Sequence, residues 1–383
     1  MTSEERHDPA QAPIPPYYPD SDVFRTAWAR YSDNVTAMDH WAGDILRDLD
    51  ADGLRESTLV IFWSDHGRGM PRAKRWPYDS GLRQPLLARW PGRIAPATIR
   101  TDMVYLMDLG PTVLTAAGLP IPGYMHGRPL FDATGTVPGE RRVYAFGGRD
   151  RMDEAEDTMR TARDDRFRYI RNYHPDRPYF LHLDYAEPFS TWRELRRLRF
   201  EEATQLGSGE DPNLLTPVQR CFLATTRPAE ELYDLSRDPH ETENLADDPG
   251  HAAELARLRV ALDEWQRTYG DLGLLPEANL VRQWRPDGRM QVTADPIIHR
   301  VGDRLTVTCA TDGASIGWTL DPPRETESDR APTFIVQRIG DPDTGNRYWN
   351  LYHEPFIAPP GAMIWFRAQR LGYRPSADVA VNV

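Results

Sequence analysis

An aspartate and a histidine stand side by side at Asp65-His66, and Lys74 follows on the same polar stretch. A carboxylate suits hard cations such as Ca²⁺ and Mg²⁺, and an imidazole suits softer ones such as Zn²⁺ and Mn²⁺. Lys74 is the only lysine among 46 lysines and arginines. Its ammonium is a compact charge with rotatable donors, where arginine offers a flat fork. Such a group binds an oxygen of sulfate or phosphate and stabilises charge on a leaving group. Each signal is weak alone. An Asp-His-Gly turn often does no more than bond to itself, and Lys74 between Arg72 and Arg75 also reads as a chance survivor on a solvated turn. Two ligands do not hold a hard cation, which takes at least about six oxygens, so partners must come from elsewhere.

The elements around these residues suggest how they are placed. Asp20-Ser21 caps a predicted helix over residues 20–52, with Phe24, Trp28, Tyr31, Val35, Met38, Ile45, Leu46 and Leu49 at helical spacing and Gly53 as its stop. The continuous apolar run at residues 58–63 predicts a strand buried on both faces of a mostly parallel sheet, and residues 85–90 a second strand. A helix is expected over 106–117. Together they predict an α/β layered domain, in which ligands bind beyond the carboxyl ends of strands, where Asp65 and His66 fall. Further on, strands are expected at 143–146 and 167–171, a polar helix at 191–202 and an amphipathic helix at 251–268. After Gly288, alternating runs such as 304–309 and 363–368 predict a small all-β sandwich. The chain thus divides into a Pro-rich linker (1–22), an α/β part (23–285) and a β-sandwich (286–383).

Composition narrows the function. A length of 383 residues fits about two domains. The net charge of −12 argues against broad nucleic-acid binding, which needs a basic face. Cys221 and Cys309 lack metal-ligand spacing and read as buried thiols. No run of about 18 apolar residues predicts a membrane span, and the first residues lack a signal-peptide pattern; the cellular address stays unassigned.

Longer patterns carry a resemblance. Tyr31, Val35, Met38-Asp39, Gly43, Ile45-Leu46 and Leu49 lead through Gly53-Leu54 and Thr58-Leu59-Val60-Ile61-Phe62 to Ser64-Asp65-His66-Gly67. Lys74, Tyr78-Asp79, Gly81, Arg83, Pro85-Leu86, Pro91-Gly92, Asp108-Leu109-Gly110-Pro111-Thr112, Gly118-Leu119-Pro120 and Gly127 follow. Later come the stretch 163–173, then Glu231-Leu232-Tyr233-Asp234-Leu235, Asp238-Pro239, Glu241 and Asn244-Leu245. Over most of residues 24–270 this resembles the C-terminal part of a sulfatase catalytic domain, in the alkaline-phosphatase-like superfamily. The Pro-rich start and the Arg72-Ala73-Lys74 spacing look most like bacterial relatives of N-sulfoglucosamine sulfohydrolase.

The resemblance implies that Asp65 and His66 ligate a divalent cation, Ca²⁺ first and Mg²⁺, Mn²⁺ or Zn²⁺ otherwise, and that Lys74 touches the sulfate or its bridging oxygen. It implies hydrolysis of a sulfate ester or sulfamate on a sugar. Arg83, Asp39 and Asp108 read as structural, the two aspartates through caps and internal hydrogen bonds. The family's nucleophile, a Cys or Ser of C/S-x-P-x-R converted to formylglycine, has no counterpart in the chain. Its acidic metal ligands precede that nucleophile. The expectation is therefore a polypeptide lacking the family's N-terminal half, inactive alone unless a separately encoded half joins it. Two other readings stand beside it. One is a phosphodiesterase or phosphonate hydrolase of the same superfamily. The other is a non-catalytic glycan-binding protein using Trp318, Tyr348, Trp349, Tyr352 and Trp365, although filling the sandwich core is the commoner role of such aromatics.

Overall fold

The computed structural model describes residues 2–209, 214–320, 322 and 349–383. They form two compact units, Met1–Gly273 and Leu274–Val383.

The first unit begins with a Pro-rich loop that is fixed in place. Tyr17 and Tyr18 are buried, the Tyr18 hydroxyl donates to Pro71 O, and Gln219 Nε2 donates to Tyr18 O at 2.8 Å. Helix α1 (Asp22–Ala51) follows, with the Ser21 hydroxyl accepting from Phe24 N. Only its first turns enter the core: Phe24 is fully buried, whereas Val35, Met38, Trp41 and Ile45 are exposed, Trp41 by 65%. Asp39 lies exposed in mid-helix and caps nothing, unlike the sequence expectation.

Strand β1 (Val60–Trp63), the single turn α2 (Asp79–Leu82), β2 (Leu86–Arg89) and α3 (Leu109–Ala116) come next. β1 and β2 pair antiparallel, from Val60 with Arg89 to Trp63 with Leu86. The α/β character is as expected, but this pairing is not the parallel one, and β1 is half-buried with Trp63 49% exposed. The connection accounts for the difference. A parallel neighbour needs a crossover, usually a helix, and here the connecting chain folds into a compact loop and one helical turn.

The rest of the unit is a meander. Strands β3 (Ala145–Met152), β4 (Ala155–Arg163) and β5 (Phe167–Asn172) are followed by helices α4 (Ser190–Gly207) and α5 (Pro217–Leu223), then β6 (Glu230–Asp234) and helix α6 (Ala252–Tyr269). The four strands pair antiparallel in the order β3-β4-β5-β6. Their period-two alternation splits the core. One face sets Ala162, Phe167, Tyr169 and Leu232 against Leu255, Leu258 and Leu262 of α6. Leu258 and Leu262 are fully buried, each contributing about 1.5–3 kcal/mol. The other face sets Met159, Ile170 and Tyr233 among Trp76, Tyr78, Phe180, Trp192 and Phe222. Cys221, on α5, is exposed rather than buried, because that helix turns Phe222 and Leu223 inward instead.

Among its described residues the second unit carries α7 (Glu277–Trp284) and seven strands: β7 (Ile297–Val301), β8 (Arg304–Thr308), β9 (Ser315–Thr319), β10 (Asn350–Tyr352), β11 (Phe356–Ile357), β12 (Met363–Gln369) and β13 (Val379–Asn382). Sheets β11-β8-β7 and β10-β9-β12-β13 enclose Leu305, Val307, Ile316, Ile364 and Phe366. Cys309 is half-buried, its thiol donating to Ala294 O at 3.2 Å. Trp318 stacks on Phe356 at 4.7 Å, and the Tyr352 hydroxyl accepts from Val307 N at 3.0 Å. Both therefore serve the core. Trp349 lies under Arg367, Trp365 is half-buried, and Tyr348 lies outside the described residues. Among those residues no helix is long and apolar enough to cross a membrane.

Candidate functional site

Asp65 and His66 lie just beyond the carboxyl end of β1. The Asp65 carboxylate accepts from His66 N at 2.9 Å, which turns the aspartate back over its neighbour. His66 Nδ1 lies 2.8 Å from Gly67 O. A carbonyl only accepts, so Nδ1 carries the proton, and in the neutral ring Nε2 is left with a lone pair. That Nε2 faces Asp65 Oδ2 at 3.2 Å. Two lone pairs at this spacing repel unless a second proton or a cation lies between them. Donor atoms each about 2.3 Å from one cation stand about 3.2 Å apart when they occupy adjacent right-angle positions. The pair therefore fits two ligands of a divalent cation, and 78% exposure of the Asp65 side chain leaves room for others.

Loop 64–81 carries both residues and Lys74, and it is pinned at several points. Gly67 and Gly81 form its clasp. Gly67 N donates to Gly81 O at 3.0 Å, and a Cβ on Gly67 would fall 2.0 Å from Ser80 O. A Cβ on Gly81 would fall 2.2 Å from Trp76 O. Within the loop, Lys74 N donates to Arg68 O at 3.0 Å. Arg68 in turn donates to the Tyr17 hydroxyl at 2.9 Å and lies over the Trp28 ring at 4.4 Å.

Buried charges hold both sides of Lys74. Arg72 packs over the rings of Tyr17 and Tyr78, at 4.6 Å and 3.8 Å, and donates to His240 O at 3.1 Å and to Glu241 O. Glu241 accepts from Asp79 N at 2.7 Å and pairs with Arg168 at 2.7 Å. Burial pushes its carboxyl up, against the lowering effect of Arg168 and Arg72. Arg149 donates to Arg75 O at 2.7 Å and pairs with buried Asp157, which Arg227 also clamps. These contacts impose left-handed backbone on two non-glycine residues, Arg72 (φ 59°) and Arg75 (φ 78°). Such conformations cost on the order of 1 kcal/mol or more and gather at functional sites.

Glu231 makes a further knot. It is fully buried and accepts from the hydroxyls of Tyr78 (2.8 Å), Tyr179 (2.8 Å) and Tyr233 (2.6 Å) and from Asn172 Nδ2 (2.6 Å). Burial, then the Glu231 charge, push the Tyr78 and Tyr233 hydroxyls well above the ordinary tyrosine range.

Lys74 Nζ makes no ion pair with Asp65 or any other carboxylate among the described residues. It lies 5.2 Å from the centre of the Tyr185 ring. Loop 64–81 thus carries all three residues singled out in the sequence, and Asp65 and His66 meet directly. Asp108 is structural, as expected: fully buried, it accepts from Tyr105 N, Arg128 N and Arg142. Arg83 is an exposed neighbour of Asp79. Sequence reading missed Tyr185, Arg75 and the roles of Glu231 and Glu241. The stretch 231–245 was marked by pattern, and its spatial role appears only once the strands are paired. Another exposed polar group, Glu154, His182 and Asp184, brings its ligating atoms within 4.8 Å of one another.

Comparison with known proteins follows the same regions. The family model described as sulfatase matches residues 3–119, and the one described as N-sulphoglucosamine sulphohydrolase, C-terminal, matches residues 71–186. An ulvan-active sulfatase of Formosa agariphila is 33% identical over 371 residues, 96% of this chain and 57% of that protein. Human N-sulphoglucosamine sulphohydrolase is 30% identical over 279 residues, 68% of this chain and 52% of that protein. The chain thus spans about half the length of these curated relatives. A solved structure described as a complex with D-glucosamine-2-N,6-O-disulfate aligns with a TM-score of 0.45 at 19% identity, covering 66% of this chain and 43% of the other.

Proposed function

Because this chain belongs to the sulfatase family, we propose that Asp65, His66 and Lys74 are its share of a site that hydrolyses sulfate esters or sulfamates on sugars. The observation that carries this reading is the face-to-face pair of Asp65 Oδ2 and His66 Nε2, 3.2 Å apart at a strand end. A divalent cation held there, Ca²⁺ first by the family resemblance, would polarise a sulfate oxygen. Asp65 offers the charged oxygen ligand. His66 offers a neutral nitrogen whose tautomer Gly67 O fixes. Lys74, bearing no carboxylate partner among the described residues, would neutralise negative charge on the leaving oxygen. The buried arginines on either side hold the backbone of the loop and leave that ammonium free to turn.

The nucleophile and the remaining ligands are to be sought outside these 383 residues, since the sequence holds no C/S-x-P-x-R. Further polypeptide, of the same or a separate chain, would have exposed apolar side chains to pack on: Val35, Met38, Trp41 and Ile45 along α1, and Trp63 and Leu87 on opposite faces of the β1–β2 pair. The 383 residues alone are then expected to bind a cation and not to turn over.

Calorimetric titration with Ca²⁺, Mg²⁺, Mn²⁺ and Zn²⁺ tests the reading. One site is expected, weakened at least about tenfold by Asp65→Ala or His66→Ala. Unchanged binding in both variants refutes the assignment. Brisk release of sulfate from a sulfate ester by the wild-type chain alone refutes the incompleteness.

A further inference from the structure

We propose that Tyr185, with Arg75 at its side, is the sugar-ring subsite next to Lys74, and that it takes a sulfated neutral or amino sugar rather than a sulfated uronic acid. This rests on the reading of Lys74 given above. If Lys74 meets the leaving oxygen, the ring attached to that oxygen lies against whatever borders the ammonium.

The aromatic group at that border is Tyr185. Its ring centre is 5.2 Å from Lys74 Nζ and 4.7 Å from Arg75 Cζ. Phe189 supports it edge-on at 5.3 Å, yet 52% of the residue is exposed. A half-open aromatic held by a second ring and two cations offers an apolar surface to the C–H face of a sugar, with donors at its rim for oxygens. The backbone is committed to this placement. Arg75 adopts φ 78° and pairs at 2.6 Å with Asp153, itself at φ 47°. Left-handed backbone at both partners of one ion pair is costly for non-glycine residues, and its effect here is to press Arg75 onto the tyrosine.

Charge sets the class of sugar. Asp153 already neutralises Arg75. Next to Tyr185 in the chain, three carboxylates gather around His182 and Arg196: Asp184 N donates to Glu154 Oε1 at 2.6 Å, the Asp184 carboxylate lies 3.0 Å from His182 Nε2, and Glu187 faces His182 Nδ1 at 3.2 Å and pairs with Arg196. Carboxylates there accept from hydroxyls or an ammonium and repel a second carboxylate. One anionic group is thus welcomed at Lys74 and a further one discouraged beside Asp184 and Glu154.

The test is titration of the 383-residue protein with Ca²⁺ present, using inorganic sulfate, glucosamine 6-sulfate and a sulfated glucuronic acid. Glucosamine 6-sulfate is expected to bind tighter than sulfate and than the uronic acid. Tyr185→Ala should weaken it about five- to tenfold, the scale of one aromatic contact, while leaving inorganic sulfate unchanged; Tyr185→Phe should retain binding. Glucosamine 6-sulfate bound no better than sulfate, or equally by Tyr185→Ala, overturns the subsite and leaves the sulfate site standing. No binding of sulfate or sugar to the wild type overturns both. Should Tyr185→Ala fail to fold, saturation transfer from aromatic protons to the sugar-ring protons in the wild type decides; its absence overturns the subsite.

Discussion

Glu231 shows what a single buried side chain does for this site. Three tyrosine hydroxyls and an asparagine amide converge on one carboxylate with no exposure to solvent. Burial of such a group is tolerable only because its acceptor positions are filled. Truncation removes the acceptor and strands four donors, three of them hydroxyls inside the aromatic core. Glu231→Ala is expected to cost roughly 3 kcal/mol or more, read as a lower denaturant midpoint at unchanged slope. A stability within about 0.5 kcal/mol of the wild type would mean that the knot is not holding the core. Because Tyr78 stands four residues after Lys74, the same substitution also loosens one flank of the loop.

At the scale of elements, loop 64–81 works as a rigid body because its ends are clasped without side chains. The Gly67→Ala substitution puts a methyl where Ser80 O already is, 2.0 Å away, and neither backbone can retreat without breaking the hydrogen bond between Gly67 and Gly81. A loss of about 1–3 kcal/mol is expected, measured by urea unfolding, with weaker cation binding beside it; an unaltered midpoint would deny the clasp. This loop also marks how far the sequence could be read. β1 was legible because a continuous apolar run announces itself locally, and Asp65-His66 because adjacent ligand types at its end are a local signal. α1 was legible through its 3.6-residue spacing. β4 was not: Ala155–Arg163 is largely polar, and its buried Asp157 and Arg160 are satisfied by Arg227 and Asp271, residues about seventy to a hundred and ten positions away. Tyr185 was equally silent, an exposed loop residue whose meaning comes from the Lys74 loop, far away in sequence. The antiparallel return of β2 was hidden too, since an apolar run does not say on which side its partner lies.

Across the whole molecule, the burden of paired charge predicts the response to acid. Burial pushes the Asp157 carboxyl up, yet Arg227 and Arg149 outweigh it and hold the group below the ordinary range. For Asp234 the hydrogen bond from Arg166 leads and burial opposes, again with a lowered result. Carboxyls lowered by folding contribute stability above their unfolded pKa, about 3.9, and lose it as pH falls through the folded value. Glu241 runs the other way: raised on folding, its contribution is present at low pH and fades as pH rises through its folded value. The first unit should therefore melt at steadily lower temperature below about pH 4, less steeply in Asp157→Asn measured against its own neutral-pH stability. A flat profile to pH 2 would deny the balance drawn here. The scarcity of lysine has one more consequence. An endoprotease that cuts only after lysine meets a single scissile bond in the chain, Lys74–Arg75. Proteases take their substrates extended, whereas Arg75, on the far side of this bond, and Arg72, two residues before Lys74, are held in left-handed backbone. One band splitting into two thus becomes a clock for the opening of the loop, built into the molecule without any label.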